Sequence, residues 1–170
     1  MSRSSQTNVT VYIGLGSNLE NPINQVQSAL IALAKISGTQ LIKHSSLYKS
    51  SPMGPQDQDD YINAVAEIST KLSPVDLLEQ LQKIEDTHGR QREQEQWGPR
   101  TLDLDLLLYG KEFISTPRLT VPHYGIKTRM FVLLPLSEIA PTLKLPDNSS
   151  VSKLMTQLAS QASPHRIYKL

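Results

Sequence analysis

Two helix-start signals, Asn21-Pro22 and Ser73-Pro74, recur at matching places, each soon after a segment of alternating apolar residues. Proline suits the first turn of a helix, and Asn or Ser before it suits the N-cap. From the first start, Ile23, Val26, Leu30 and Leu33 fall at helical spacing, with Gly38 as the stop; from the second, Leu77, Leu78, Leu81 and Ile84 do so, with Gly89 as the stop. Period-2 segments predict strands at 9–15, over "QLIKHSSLYKSS" as one second strand, at "YINAVAEIST" and at "TLDLDLLLY" from residue 101. The order strand, helix, strand, strand, helix, strand is the βαββαβ pattern of a ferredoxin-like α+β fold, a mainly antiparallel sheet with helices packed on it. Residues 111–150 are proline-rich and read as C-terminal additions, with a short helix near "TRMFVLLPLSEI". "SSVSKLMTQLASQ" predicts a last amphipathic helix with Leu154 and Leu158 facing inward.

A chain of 170 residues suits one domain with a sizeable core, expected here over 9–170 behind a flexible, polar, serine-rich tail at 1–8. Lys plus Arg total 17 against 16 for Asp plus Glu, which argues against a protein built to coat nucleic acid or anionic membrane. The absence of cysteine excludes a disulfide scaffold, a thiolate nucleophile and a Cys-ligated metal site. No signal peptide is visible, and no segment approaches the ~18 consecutive apolar residues of a membrane span. A cytoplasmic protein is expected, with neither nucleic acid nor membrane among its partners.

Aspartate is depleted in strands and like charges on one strand face repel, yet Asp103 and Asp105 alternate with leucine in "TLDLDLLLY". Residues two apart on a strand share a face about 6.5–7 Å apart, so Thr101, Asp103 and Asp105 lie together, opposite Leu102, Leu104 and Leu106. One reading is an amphipathic strand with a solvated outer face. Two carboxylates on one face of an interior strand point instead to a divalent cation. Oxygen-only ligands suit magnesium, which keeps several waters and takes further ligands from substrate phosphates. Such a pair can hold two ions about 3.5–4 Å apart, the arrangement used for in-line phosphoryl displacement. Alone, D-x-D is a weak motif.

Its neighbours strengthen it. Arg90, Arg92 and Arg100 surround Trp97-Gly98-Pro99 in the preceding loop, and a guanidinium matches phosphate oxygens with a planar fork. Such a loop is usually a solvated connection; attached directly to the carboxylate pair, it reads as phosphate-binding. "RLTVPHYGIKTRMF" adds Arg118, His123, Tyr124 and Arg129, a histidine among arginines that suits an anion. His44, His88 and His165 lack such company and read as surface or structural residues. "GLGSNL" lacks the third glycine of a dinucleotide fingerprint, and no P-loop is present, so side chains and metal must hold any nucleotide.

Four blocks, "GLGSNL", "SSPMGPQDQDDYINA", "GR…WGPRTLDLDLLLYG" and "RLTVPHY", closely resemble the 6-hydroxymethyl-7,8-dihydropterin pyrophosphokinase family in order and spacing over about residues 10–160. The resemblance implies a monomeric, ferredoxin-like enzyme of folate biosynthesis that uses two Mg2+ ions and ATP as co-substrate. Its activity is transfer of pyrophosphate from ATP to the hydroxymethyl group of the reduced pterin, with release of AMP. By the same resemblance, Asp103 and Asp105 are magnesium ligands and act in catalysis with Arg90 and Arg100. Implied ATP contacts are Gln82, Glu85, Arg92, Trp97, Arg100 and Leu106, followed by Arg118, Thr120, His123, Tyr124 and Arg129. The implied pterin pocket comprises Gly16, Ser50, Ser51, Met53, Tyr61 and Asn63, closed by Trp97 and Phe131. A flat heterocycle between Trp97 and Phe131, its edge read by the Asn63 amide, is physically reasonable. The chain departs from the family pattern at Ser50-Ser51, where Thr-Pro is frequent, and at Glu93 and Gln96, where basic residues are common.

Two other classes fit parts of the pattern. A metal-dependent nucleotidyltransferase would release pyrophosphate instead of AMP. A non-catalytic ferredoxin-like module would bind ligand without magnesium.

Overall fold

The computed structural model describes residues 7–19, 21–52, 58–88, 101–161 and 166–170. Among them the chain runs β1 (Val9–Ser17), α1 (Pro22–Ala34), β2 (Thr39–His44), β3 (Tyr48–Ser50), β4 (Tyr61–Thr70), α2 (Pro74–Thr87), β5 (Asp103–Tyr109), β6 (Ile114–Ser115), β7 (Thr120–Val121), α3 (Met130–Ile139), α4 (Val151–Ala159) and β8 (Ile167–Lys169). The main sheet has the order β5-β1-β4-β3-β8, with β2 pairing β4 beside β3, and every pairing is antiparallel. This is the ferredoxin-like α+β arrangement that the βαββαβ order predicts.

Period-2 alternation places one core on each face of the sheet. Val11, Ile13 and Leu15 of β1, with Ile62, Ala64, Ala66 and Ile68 of β4, pack against Val26, Ala29, Leu30 and Leu33 of α1 and Leu77 and Leu81 of α2. On the other face, Tyr12, Val65, Leu107 and Leu108 pack against Val132, Leu133, Leu136 and Ile139 of α3 and Val151 of α4. Leu154 and Leu158 are partly buried against this second core, so the additions at the C-terminus cover the face that α1 and α2 leave open.

Three local expectations need correction. Asn21 occupies the N-cap of α1 but lies in the left-handed region at φ 66°, and its side chain makes no capping bond. A capping side chain needs extended backbone, as at Ser73, whose hydroxyl accepts the Asp76 N–H at 3.2 Å. Ile23 is 40 % exposed; Ala29 takes its place on the buried stripe of α1. "QLIKHSSLYKSS" is not one strand but β2 and β3, both paired to β4. The break falls at Ser45, whose N–H donates to Val65 O at 2.8 Å while its hydroxyl accepts the Val65 N–H at 2.9 Å, a side chain replacing a rung of the ladder. No helix among the described residues is long and apolar enough to cross a membrane.

Candidate active site

Leu102, Leu104 and Leu106 are buried in the core under α1 and α2, which turns Asp103 and Asp105 to the opposite face, as the alternation requires. The strand itself is at the sheet edge, not interior: among the described residues β5 pairs with β1 alone. An edge strand presents unpaired backbone groups. Here the carboxylate of Glu85, on α2, accepts the Leu104 N–H at 2.8 Å, and Leu107 O accepts the His123 N–H at 3.0 Å. Among the described residues, β1 thus flanks the carboxylate strand on one side and Glu85 and His123 meet it on the other, and both aspartates are half-buried.

The register explains why "GLG" precedes the serine. Gly16 lies opposite Asp103 and Gly14 opposite Asp105, while on the other side Gly16 lies opposite Asn63 and Gly14 opposite Val65. Side chains directly across an antiparallel pair have Cβ atoms about 4.5–5.5 Å apart, so any residue larger than glycine would fill the gap between the carboxylates and Asn63. A Cβ on Gly16 would stand 3.3 Å from Asn63 Oδ1, and one on Gly14 would stand 3.5 Å from Leu107 Cδ1. The result is a low backbone floor at Gly16, bordered by Asp103 and Asp105 on β5 and by Asn63 and Tyr61 on β4, with Leu107 covering Gly14. Leu107 reaches that position because it is the extra residue of a β-bulge, Leu106 and Leu108 pairing with Ile13 and Tyr12.

The far border is fixed by hydrogen bonds. Asn63 Nδ2 donates to Ser50 Oγ at 2.6 Å, with both residues buried. Ser51 N donates to Arg166 O at 2.9 Å and its hydroxyl accepts the Arg166 N–H at 2.9 Å, tying β3 to the C-terminal segment. Next to Asn63 on the ladder, Tyr48 donates its phenol to Glu138 Oε1 at 2.6 Å. Burial and the Glu138 carboxylate push that phenol far above its ordinary range.

A second group closes the carboxylate side. His123 Nδ1 accepts the Gly125 N–H at 3.0 Å, which leaves the proton of the neutral ring on Nε2, 3.8 Å from Asp105 Oδ2. Burial and the nearby Arg129 guanidinium hold the imidazole down at about 4, so the contact with Asp105 involves a neutral ring at physiological pH. The His123 and Tyr124 rings stack at 4.5 Å between centroids. Arg129, only 8 % exposed, donates from Nη2 to the Tyr124 hydroxyl at 3.0 Å, and its Cζ lies 4.9 Å from the Tyr124 ring and 5.8 Å from that of Phe131. Its guanidinium passes so close to Gly125 that a Cβ there would collide with Nε.

The structure thus gathers Asp103, Asp105, Gly16, Ser50, Tyr61 and Asn63 around one floor, with His123, Tyr124, Arg129 and Phe131 adjoining it. Other expected contacts lie apart. Leu106 and Glu85 point into the α1/α2 side, Gln82 is half-buried on α2, and Thr120 is exposed on β7. Arg118 pairs at the surface with Glu79 of α2 at 3.6 Å. Met53, Arg90, Arg92, Trp97 and Arg100 lie outside the described residues, as do His165, Glu93 and Gln96. His44 and His88 bond to backbone, Nδ1 to Ser45 O and to Ile84 O respectively, which fits structural roles.

Two carboxylates share a face, Asp103 opposite Gly16 and Asp105 opposite Gly14. No group of three or more His, Cys, Asp or Glu occurs among the described residues, so no site built wholly from protein ligands, as a zinc or high-affinity calcium site would be, is present there. Asp103 and Asp105 fit an ion that takes its remaining ligands from water and substrate. Sequence reasoning missed Gly14, Ser17, Asn18, Tyr48 and Glu138; "GLGSN" held the first three in view, but their partners come from segments far along the chain.

Comparison with known proteins agrees with the geometry. The family model for 7,8-dihydro-6-hydroxymethylpterin-pyrophosphokinase (HPPK) matches residues 12–141. The 2-amino-4-hydroxy-6-hydroxymethyldihydropteridine pyrophosphokinase of Haemophilus influenzae is 52% identical over 162 residues, 95% of this chain and 98% of that one. Its counterpart in Pseudomonas aeruginosa is 50% identical over 145 residues, 85% of this chain and 89% of that one. Among solved structures, a Plasmodium falciparum HPPK-DHPS crystal structure matches 92% of this chain with a TM-score of 0.74 at 15% identity, which speaks for the fold. The chain spans 46% of that protein's length.

Proposed function

The chain belongs to the 7,8-dihydro-6-hydroxymethylpterin-pyrophosphokinase family, and we propose that it transfers pyrophosphate from ATP to the hydroxymethyl group of 6-hydroxymethyl-7,8-dihydropterin. AMP is released, and the product serves folate biosynthesis. The protein acts as a cytoplasmic monomer, a single domain over 9–170, without nucleic acid or membrane as partner. Asp103 and Asp105 hold two Mg2+ ions. The register that sets Gly16 between Asp103 and Asn63 carries this reading, since a structural strand face has no need of a glycine between its charge and a buried amide.

The chain's own residues do the following. Asn63, anchored on Ser50, presents Oδ1 above Gly16 as an acceptor for the N–H edge of the pterin, with Tyr61 and Phe131 as apolar borders. Its hydroxymethyl oxygen then points across the floor towards Asp103 and Asp105. The alcohol oxygen bonds to the β-phosphorus, its proton passes to solvent, and the bond from that phosphorus to the α-phosphate oxygen breaks to release AMP; magnesium held by Asp103 and Asp105 would supply neutralisation of phosphate charge. His123 offers a neutral Nε2–H donor beside Asp105, and buried Arg129 supplies positive charge next to it. Arg90 and Arg100 stabilise the charge that builds on the phosphates. Positioning and charge neutralisation carry such reactions, and no covalent nucleophile is needed.

The test is AMP formation from ATP and the pterin alcohol with and without magnesium. The expected result is strict dependence on both, and loss of turnover in Asp103→Ala and Asp105→Ala with the circular dichroism spectrum unchanged. Pyrophosphate release would make the protein a nucleotidyltransferase; metal-independent nucleotide binding without turnover would make it a binding module.

A further inference from the structure

Strand β1 ends at buried Ser17, buried Asn18 follows it, and the reaction uses neither directly. Ser17 is 0% and Asn18 1% exposed. Ser17 Oγ donates to the carbonyl of Thr101, the more distant Leu19 carbonyl lying at 3.4 Å. Asn18 Nδ2 donates to Gln58 Oε1 at 2.8 Å and to the carbonyl of Asp59 at 3.0 Å. A backbone carbonyl only accepts, so the Asn18 amide can face Asp59 in one orientation alone, and Gln58 must present its oxygen. Ser17 follows Gly16 on the strand, so its side chain points away from the floor shared by Asp103 and Asn63.

These bonds run to opposite borders of the site. Thr101 lies two residues before Asp103, and Asp59 lies two before Tyr61 and four before Asn63. We infer that Ser17 and Asn18 are positioning residues with separate duties: Ser17 sets the start of β5 and hence the carboxylate pair, while Asn18 sets the start of β4 and hence the pterin contacts. The inference rests on the placement of magnesium and pterin proposed above.

The full-length protein tests it through a split of kinetic constants. Asn18→Asp is nearly isosteric but turns both donors into acceptors facing oxygen atoms. It should raise the pterin KM about tenfold, the equivalent of one hydrogen bond of about 1.4 kcal/mol. The kcat and the half-saturating magnesium concentration should stay within about twofold of the parent. Ser17→Ala should do the converse, lowering kcat or weakening Mg2+–ATP binding in calorimetry about tenfold, with pterin KM within about twofold, because misplacement of the reacting geometry is paid in turnover. Equal shifts of all constants in both variants would mean a merely structural role, and no shift in either would also overturn the inference. Should Asn18→Asp not fold, Gln58→Ala removes one partner and leaves the Asp59 bond; it should raise pterin KM a few-fold, and an unchanged KM refutes the assignment. Parent protein lacking magnesium-dependent AMP release would overturn the proposed function instead, and that assay is scored before any variant.

Discussion

Glu85→Ala separates a structural prop from a ligand contact. The side chain is 3 % exposed, and its Oε2 takes the Leu104 N–H, which lies between the two aspartates. A hydrogen bond to a charged acceptor contributes about 1.5–3 kcal/mol, and its loss leaves a buried N–H on the edge strand without its carboxylate. Truncating the buried stem adds a cavity term, so the expected destabilisation is about 3 kcal/mol in all. Glu85→Gln keeps an acceptor in place and should lose only about 1 kcal/mol, the difference between charged and neutral acceptors. Urea denaturation followed by circular dichroism reads both values, with the slope checked for constancy. Because β5 carries Asp103 and Asp105, magnesium-dependent nucleotide binding should weaken in Glu85→Ala and stay close to normal in Glu85→Gln. A parent-like urea midpoint in Glu85→Ala would refute the prop. So would a large rise in ATP KM in Glu85→Gln at full stability, which is the result expected of a direct contact with nucleotide.

Two further outcomes follow from the same geometry. Gly16→Ala puts a methyl 3.3 Å from Asn63 Oδ1, forcing the amide aside by a few tenths of an ångström; pterin KM should rise several-fold with Mg2+–ATP binding unchanged, and an unaltered KM would show that the floor has slack. The Tyr12 phenol, buried and bonded to Glu67 Oε1 at 3.2 Å, is raised by burial and by that carboxylate to about 12. Its folded value exceeds the unfolded value of about 10, so its contribution is intact below pH 10 and drains away as pH climbs towards 12, at up to about 1.4 kcal/mol per unit. Tyr12→Phe should therefore lose less stability than the parent over that window in denaturant titrations; parallel losses would contradict the assignment.

What was legible in the chain was local or periodic. The Ser73 cap could be read because its partner is three residues away, and the two helices because their apolar stripes repeat. Asp103 and Asp105 could be placed on one face by alternation alone. Whether β5 lay inside the sheet or at its edge could not, since apolar alternation looks alike in both places. The neighbours of the carboxylates come from remote segments: Gly14 and Gly16 face them only once the β1–β5 register is known, and His123 reaches Asp105 by folding back along the edge strand. β6, β7 and β8 have two or three residues each, too few for a period to register. The split between β2 and β3 arises from the hydroxyl of Ser45 bonding to Val65, a tertiary contact that no pattern of hydrophobicity encodes.

The bulge at Leu107 also gives the site a direction. Its side chain blocks the way along the strands beyond Asp105, packing over Gly14 and joining the core beneath α3. The ladder register then runs a line crosswise over the backbone, from Asp103 past Gly16 to Asn63 and Tyr48. That path crosses three strand spacings, about 14 Å, a span suited to a bicyclic ring followed by a phosphate chain. One supernumerary leucine thus bounds the floor beside Asp105 and sets its long axis across the strands, not along them.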